Sequence, residues 1–562
     1  MNSKTSLTLL ATALLLALSA PAFAGETCDG IPPRSGAQAP GNDAYACGTG
    51  AQATGTRANA FGTRARATDE DAVAVGQDSL ASGFHSAAIG GQAVASGRGA
   101  SAIGWRAQAT GEFSTATGNS AVASGANSTA NGRSAQASGA NSSAIGANAV
   151  ASGENSTALG QGASASGANS TALGQGASAS GANSTALGQG AAASGASSTA
   201  LGQGAQATSV NATAIGRGAT ASDEDALAVG QGAQATGFHS SAIGTQSVAS
   251  GRGATATGWQ ARATGELSTA TGNSAVASGA NSTATGRAAT ASGSASTATG
   301  NNSLASGANS TANGNGARAT GANSTANGQG ASATDEDATA TGQGAQASGF
   351  QSTANGAQSV ASGRGASATG RGAQATGAFS TANGNGAVAS GENATAIGRG
   401  ATASSANSVA LGAGANASGS NSVALGNGSI ATRANSVSVG TVGGERVITN
   451  VANATQRTDA VNFGQFLDGI AELRGYVDLR FRQTDERIDK LGAMNAAMST
   501  MIGSASGIRT DNRLAVGTGF SGGEAALSIG YQRALSERAT LTIGGAFTDD
   551  ESQAGVGFGW GW

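Results

Sequence analysis

Glycine falls on every seventh residue for almost four hundred residues of this chain, and that spacing dictates what the chain can fold into. Of the fifty-six positions reached in steps of seven from Gly55 to Gly440, fifty hold Gly. The six exceptions are Asp69, Ser209, Asp223, Asp335, Ser405 and Arg433. No residue is inserted or lost across the stretch. Two half-motifs of seven alternate, N-S-x-A-x-G and A-x-A-x-G, so the repeating unit is a pair of them and occurs about 28 times. The block NSTALGQGASASGA at 155–168 recurs letter for letter at 169–182.

A heptad coiled coil shares this period, but Gly in each heptad costs about 1 kcal/mol against Ala, and no Leu or Ile seam offsets it. A flexible Gly/Ser linker has no need to hold register. Collagen is excluded because there is no G-X-Y triplet and only 4 of 562 residues are Pro. An ordinary globular core is excluded as well: most of the 39% apolar content is Ala, and aromatics make up 4%. What remains is a stack of short strands bearing small side chains, punctuated by Gly turns. A parallel β-solenoid of about 28 coils, spaced ~4.8 Å apart, is about 130 Å long. The phased Gly is expected at φ > 0, and three of its six replacements are Asp, which tolerates that region.

A longer repeat overlies the short one. Asp-Glu-Asp runs begin at Asp69, Asp223 and Asp335, eleven and then eight whole repeats apart. The stretch 83–132 returns from Gly237 and, more divergently, from Gly349. The array has grown and shrunk by whole units, as a stack in which each coil touches only its neighbours tolerates.

The flanks differ. Lys4, the apolar run 7–20 and Ala22-Phe23-Ala24 read as a signal peptide ending at residue 24. Cys28 and Cys47 follow in a cap at 25–50. Exported cysteines pair, so an intrachain disulfide at the head tip is expected, with a linkage between chains as its rival. Charged residues rise from about 8% over 25–440 to about 20% beyond. From Phe463 an apolar line runs through Phe466, Ile470, Leu473, Val477, Phe481, Thr484, Ile488, Leu491, Asn495, Met498 and Ile502. Its steps of three and four make a heptad seam with one stutter at Phe481. With no globular core for such a helix to cover, the seam predicts self-association.

The last fifty residues predict four strands, at 513–522, 523–535, 537–549 and 553–562. One face carries Leu514, Val516, Phe520, Leu527, Ile529, Tyr531, Leu541, Ile543, Phe547, Val556, Phe558, Trp560 and Trp562. The other is almost entirely Gly, Ala, Ser and Thr. Apolar-out alternation over ~10-residue strands marks an outer-membrane barrel, but the smallest have about eight strands. Three chains would supply twelve, with a lumen lined by small residues to admit three helices.

Candidate chemistry is sparse. His85 and His239 occupy equivalent points of two super-repeats, but Gln351 in the third argues against a metal site. Trp105 and Trp259, replaced by Arg371, read either as exposed ligand contacts or as packing residues. The Asp-Glu-Asp runs read as solvated loops ahead of Ca²⁺ sites, since no G-G-x-G-x-D pattern accompanies them. The N-S-T sequons follow automatically from the repeat. There is no Ser/His/Asp arrangement, phosphate loop or RGD triplet, so no catalytic, cofactor-binding or metal residue is assigned. The head's near-zero net charge argues against nucleic acid.

The segment after the repeats is the most specific: SVSVG at 436–440, Arg446, ITNVA at 448–452, TDAVN at 458–462 and Gln465. With the signal peptide, Gly-phased head, short coiled coil and four last strands, this resembles the trimeric autotransporter adhesins of the YadA type. The resemblance implies a mostly β fold: a trimeric parallel β-solenoid (β-roll) head at 51–440, a neck at 441–462, a coiled-coil stalk and lumenal helix at 463–502, and a transmembrane β-barrel anchor at 503–562, four strands per chain and twelve per trimer. It also implies a homotrimer in the outer membrane of a Gram-negative cell, with head and stalk at the cell surface and an anchor that exports the passenger with help from the barrel-assembly machinery. The function implied is non-enzymatic attachment to host matrix or cells, with autoaggregation or biofilm formation. Its adhesive contacts are expected on the coils farthest from the membrane, 51 to about 230. A structural or ice-interacting solenoid is the alternative, suggested by Thr255/Thr257 and Thr297/Thr299, although the alternation is expected to turn many Thr inward. Ala454 stands where the family usually has Gly, and Phe463 and Phe466 replace smaller residues. The family motif NSVAIG places Val and Ile inward, whereas NSTANG at 309–314 predicts internal Thr and Asn ladders instead.

Overall fold

A computed structural model describes residues 26–27, 36–485, 496–497, 499–501, 503–505, 507–521, 524–547 and 552–562. The signal peptide, Cys28 and the seam positions Ile488, Leu491, Asn495, Met498 and Ile502 lie outside these residues. The chain forms two units, Met1–Glu445 and Arg446–Trp562.

The first unit is a parallel β-solenoid whose coil is the paired half-motif of the sequence. Each coil has a three-residue strand such as Thr157–Leu159 and a two-residue strand such as Ser164–Ala165. Both pair in parallel with the same strand one repeat later, Thr157↔Thr171 and Ser164↔Ser178. The two-residue strands form a ladder of twenty-eight, from Gln52–Ala53 to Ile430–Ala431. The three-residue strands stack from Tyr45–Cys47 onward, with Glu26–Thr27 paired on the outermost one. Strand ladders and turns are held coil to coil by backbone hydrogen bonds such as Thr157 N–H to Ser170 O at 2.8 Å and Gly160 N–H to Ile145 O at 2.8 Å.

The interior is made of Ala and Ser. Ser156, Ala158, Ala163 and Ala165 of one coil are fully buried, and so are their counterparts along the array. Several of the serines turn their hydroxyl back to the turn carbonyl, as Ser156 Oγ does to Gly153 O at 2.6 Å. The internal Thr and Asn ladders expected from the sequence are not found. In a strand such as Thr311–Asn313 only the middle Ala is buried, while Thr and Asn point outward. A coil of two facing two- and three-residue strands leaves room inside for a methyl or hydroxyl and no more.

The two turns of a coil differ, and this corrects the reading of the glycines. In the turn Gly160–Ala163, Gly160 has φ +137°, and a Cβ there would meet Gly174 O at 2.5 Å. In the turn Gly153–Ser156, Gly153 does not have positive φ, although a Cβ would meet Gly167 O at 2.0 Å. All six replaced glycines belong to this second class and none to the first. Asp therefore does not stand in for Gly by tolerating positive φ. Asp69, Asp223 and Asp335 each accept a hydrogen bond from the next residue's backbone N–H at 2.8 Å, a contact Gly cannot make. The left-handed position is the third residue of each turn, often Asn in one turn and Gly in the other, as at Asn155 (φ 56°) and Gly162 (φ 66°).

In the second unit, irregular chain leads into the helix Phe463–Asp485. Asn462 caps it, its Oδ1 accepting from Gln465 N–H at 2.9 Å. The Gln465 side chain bridges both the N–H (2.6 Å) and the carbonyl (3.0 Å) of Ala454, so Ala serves where a Gly is usual. The helix runs unbroken through Phe481, the stutter position. Of its seam residues, Phe466 packs on Trp560 with centroids 4.7 Å apart, while Leu473 and Val477 stay about two-fifths exposed in the single chain.

The anchor strands are Asn512–Ser521, Glu524–Ser536, Ala539–Phe547 and Ser552–Trp560, joined antiparallel in chain order. Their small face meets helical residues: a Cβ on Gly517 would strike Ala497 O at 2.2 Å, and one on Gly530 would lie 3.0 Å from Met501 Sδ. The opposite face exposes Leu514, Val516, Phe520 and Val556. Both edge strands are unpaired in the single chain, as a sheet awaiting neighbouring chains requires. No described helix is long and apolar enough to cross a membrane.

Candidate adhesive surface

Because every coil repeats in register, each turn position forms a column along the solenoid, and whatever the sequence places there is displayed in file. At the third residue of the Gly153-type turn, Asn127, Asn141, Asn155, Asn169 and Asn183 are linked by amide–amide hydrogen bonds of 3.0–3.1 Å. Gln161, Gln175, Gln189 and Gln203 do the same on the opposite turn. Amide ladders exist in this protein, but on the exposed edges.

The super-repeat interrupts the Asn column with charge and aromatic surface. Arg57 is bound by Asp71 (2.6 Å) and Glu70 (2.7 Å), and Asp71 also lies 3.0 Å from His85 Nε2. This clip raises the Arg57 pKa and lowers that of Asp71, in both cases chiefly through their mutual hydrogen bond. One coil further on, the Arg98 guanidinium lies 5.7 Å from the Phe84 ring centroid and 5.6 Å from that of Phe113. The Phe113 ring covers Gly99, where a Cβ would come within 2.7 Å of it. The glycine after the arginine is thus the floor of an aromatic–Arg–aromatic stack. The third super-repeat rebuilds it from Phe350, Arg364 and Phe379, with distances of 5.5 and 5.7 Å over Gly365. In the second, Leu267 replaces the outer ring and Arg252 keeps Phe238 at 5.6 Å.

His85 and His239 are exposed beside Asp71 and Asp225 and stacked on Phe84 and Phe238. Gln351, in the third copy, reaches Asp337 at 3.4 Å, so the position pairs with the preceding acid whatever the residue. Trp105 and Trp259, each nearly half exposed, sit on the opposite turn, Trp105 against Gly91 and beneath the Arg106 guanidinium at 4.2 Å. They are surface residues rather than packing residues. The Asp-Glu-Asp runs form turns, and among the described residues no three His, Cys, Asp or Glu side chains converge as metal ligands do. The arginines at 98, 252 and 364 were missed by sequence reasoning. Aligning the chain coil by coil would have revealed them, since each sits in G-R-G with Phe one coil before.

The outermost row of the three-residue strands is a further surface. It is aliphatic at Ile145, Leu159, Leu187 and Leu201, each about two-fifths exposed, becomes Thr or Asn from Thr257 to Asn383, and returns to Ile397, Leu411 and Leu425.

A Gly-phased β-solenoid, a seam-bearing helix and four strands that are apolar on the outside and small on the inside define a surface-displayed, membrane-anchored fibre protein. Models of three families match it: the YadA head domain repeat in eighteen segments, some of them overlapping, between 53 and 441, the coiled stalk of trimeric autotransporter adhesin at 447–487, and the YadA-like membrane anchor domain at 509–562. The chain belongs to the trimeric autotransporter adhesins of the YadA type, which are adhesins and not enzymes. Its strands anchor it in the outer membrane, and its head and stalk are displayed at the cell surface. Among solved structures, that of the collagen-binding domain of the Yersinia adhesin YadA is 28% identical over 34% of this chain and 85% of that one. Its TM-score of 0.19 is too low for any argument about shape. No curated protein matches the chain.

Proposed function

We propose that this chain is a homotrimeric adhesin that attaches its cell to host matrix or host cells and to other cells carrying it, giving autoaggregation or biofilm. The observation that supports this is the recurrence of exposed aromatic, Arg and acidic turn columns at whole-coil spacing. Many weak copies of one surface, multiplied over three chains, give avidity without a deep pocket. In this reading 1–24 is removed on export, 25–50 caps the tip, 51–440 is the head, 441–462 the neck, 463–502 the stalk and lumenal helix, and 503–562 the anchor, inserted with the barrel-assembly machinery. The coils from 51 to about 230 make contact, and those nearer the membrane act as spacer. The test is attachment of cells displaying the full chain to immobilised collagen, fibronectin and cultured cells. Display without attachment to any of them, and without clumping, sinks the reading.

One observation favours an ice-interacting alternative. In Thr255–Thr257, Thr269–Thr271, Thr283–Thr285 and Thr297–Thr299 both Thr of each strand point outward in four consecutive coils, contrary to the expectation that many turn inward. Thermal hysteresis in a solution of the same protein decides it.

A further inference from the structure

The order of charges along the file of Gly153-type turns is self-complementary. Taken one coil per rung, the five rungs centred on Phe84 carry Arg57, then Glu70 with Asp71, then Phe84 with His85 stacked on it, then Arg98, then Glu112. In charge this reads plus, minus, neutral, plus, minus. Turned end over end it reads minus, plus, neutral, minus, plus, which opposes the original at each charged rung and sets ring on ring at the centre. The rungs around Phe238 (Glu224 before, Arg252 after) and around Phe350 (Glu336 before, Arg364 after) keep the same central order. In neither do like charges meet on reversal. A copy lying parallel would set Arg against Arg and acid against acid. The rungs are ~4.8 Å apart, so five of them span about 19 Å.

The arginines are built for contact. Arg98 and Arg364 each lie between two rings, the outer one resting over a glycine, and Arg252 lies against one ring. Arg98 and Arg252 sit 3.7 Å from Glu112 and Glu266 of their own chain, yet remain about two-thirds exposed. A guanidinium fixed in this way presents its donors to a carboxylate with little further ordering. Ala378 stands where Glu112 and Glu266 stand, so Arg364 has no acid on the next rung of its own chain.

We propose that the three patches around Phe84, Phe238 and Phe350 are docking surfaces for a second copy of this chain lying antiparallel, the orientation in which heads from two facing cells meet. Each patch places its Arg on the partner's acidic rung and its central ring on the partner's. The patches lie eleven and eight coils apart. Because these spacings are unequal, an antiparallel pair matches at most two patches at once, and the contact stays weak per pair and dependent on number.

This assignment rests on the adhesive reading above, and its test keeps the two apart. Cells display the full chain in three forms: unaltered; with Arg98→Glu, Arg252→Glu and Arg364→Glu; or with Glu70→Arg, Glu224→Arg and Glu336→Arg together with Asp71→Asn, Asp225→Asn and Asp337→Asn. Asn is native to the column of Asp71, and Arg98 shows that Arg is accepted on the column of Glu70. An antibody confirms display, and settling of the suspension is the readout. Unaltered cells settle, each variant alone settles no faster than cells lacking the protein, and a mixture of the two variants settles at the unaltered rate in two-coloured clumps. Variants that still clump alone, or displayed variants that stay suspended when mixed, overturn the antiparallel pairing. Attachment of the same cells to immobilised matrix proteins is measured in parallel. Its retention in the non-clumping variants leaves the adhesive reading standing, and its absence in unaltered cells that also fail to clump removes that reading.

Discussion

The head and the anchor are both β structure that alternates small and larger side chains, and in both the small ones point inward, for opposite reasons. In the head, Ala158 and Ala165 are buried by their own coil, because two very short strands face each other across a gap one methyl deep. In the anchor, Gly517 and Gly530 are small because another segment, carrying Ala497 and Met501, occupies the space beside them. A small inward residue therefore reports how thick the available space is and what fills it. The head fills its interior from each coil and its neighbours, so it can change length. The anchor's interior depends on a helix arriving from elsewhere, so it cannot.

The sharpest way to break this comparison is to change the head's length. Deleting residues 155–196, three whole repeats, preserves every column, and display on the cell should be intact. Deleting seven residues puts a glycine of the strongly positive-φ class, such as Gly104 at φ 130°, where the other turn class belongs and should abolish display. An antibody against the head reads both. A harmless seven-residue deletion would refute the coil assignment.

Point changes inside each region come next. Ala158→Leu overfills a closed coil and should cost about 1–3 kcal/mol locally, whereas Leu159→Ala on the outer row should stay within about 0.5 kcal/mol. Hydrogen exchange at those coils is the measurement, since a repeat array has no single unfolding transition. In the anchor, Gly517→Leu should lower the yield of heat-resistant trimer most. Gly557→Leu should matter less, because a Cβ there meets nothing nearer than 3.8 Å. Val556→Leu, on the exposed face, should be nearly silent. Equal effects from Gly517→Leu and Val556→Leu would refute the assignment of the faces.

The two turn classes give a smaller contrast. Gly160→Ser forces an L-residue to φ near +137° and should cost about 1–3 kcal/mol. Gly153→Ser, of the class in which Ser209 and Ser405 occur naturally, should cost less, and exchange rates in the flanking coils order the pair. At the tip, the pairing of Glu26–Thr27 with Tyr45–Ala46 sets the residue before Cys28 opposite the residue before Cys47. We expect an intrachain disulfide, visible as no reducible trimer on a non-reducing gel.

The unit, its length and its parallel stacking were legible because a strict period without insertions admits few folds. The four anchor strands were legible because their two faces differ so strongly in size, and their ends were placed within about two residues. What sequence reasoning misassigned was facing. The family motif suggested that Thr157 and Asn313 point inward, but pattern alone does not say which of two alternating rows lies inside when both are small. The structure decides by thickness: only Ala and Ser fit. The Phe84–Arg98–Phe113 stack was not legible along the chain, because its members come from three successive coils and meet only when one coil is laid on the next.

The smallest expected effect lies on the first coils and separates their surface electrostatics from their core. Asp71 has a lowered pKa, first through its hydrogen bond with Arg57, then through the Arg57 charge and, last, through His85. A depressed carboxylate contributes stability above its unfolded value, about 3.9, and loses it only as pH falls through the lower folded value. The Arg57–Asp71 clip should therefore hold at about pH 4 and release below, while the Ala/Ser interior, having no titrating group, should not respond. Amide exchange at Arg57, which donates its N–H to Asn42 O, should rise in that acid window in the native chain and be independent of pH in Asp71→Asn, after correction for intrinsic exchange. An acid-induced rise of the same size in both chains would show that the clip does not hold these coils. Since the pair lies at the solvent surface, the change is expected to stay within the first few coils and to shrink with added salt.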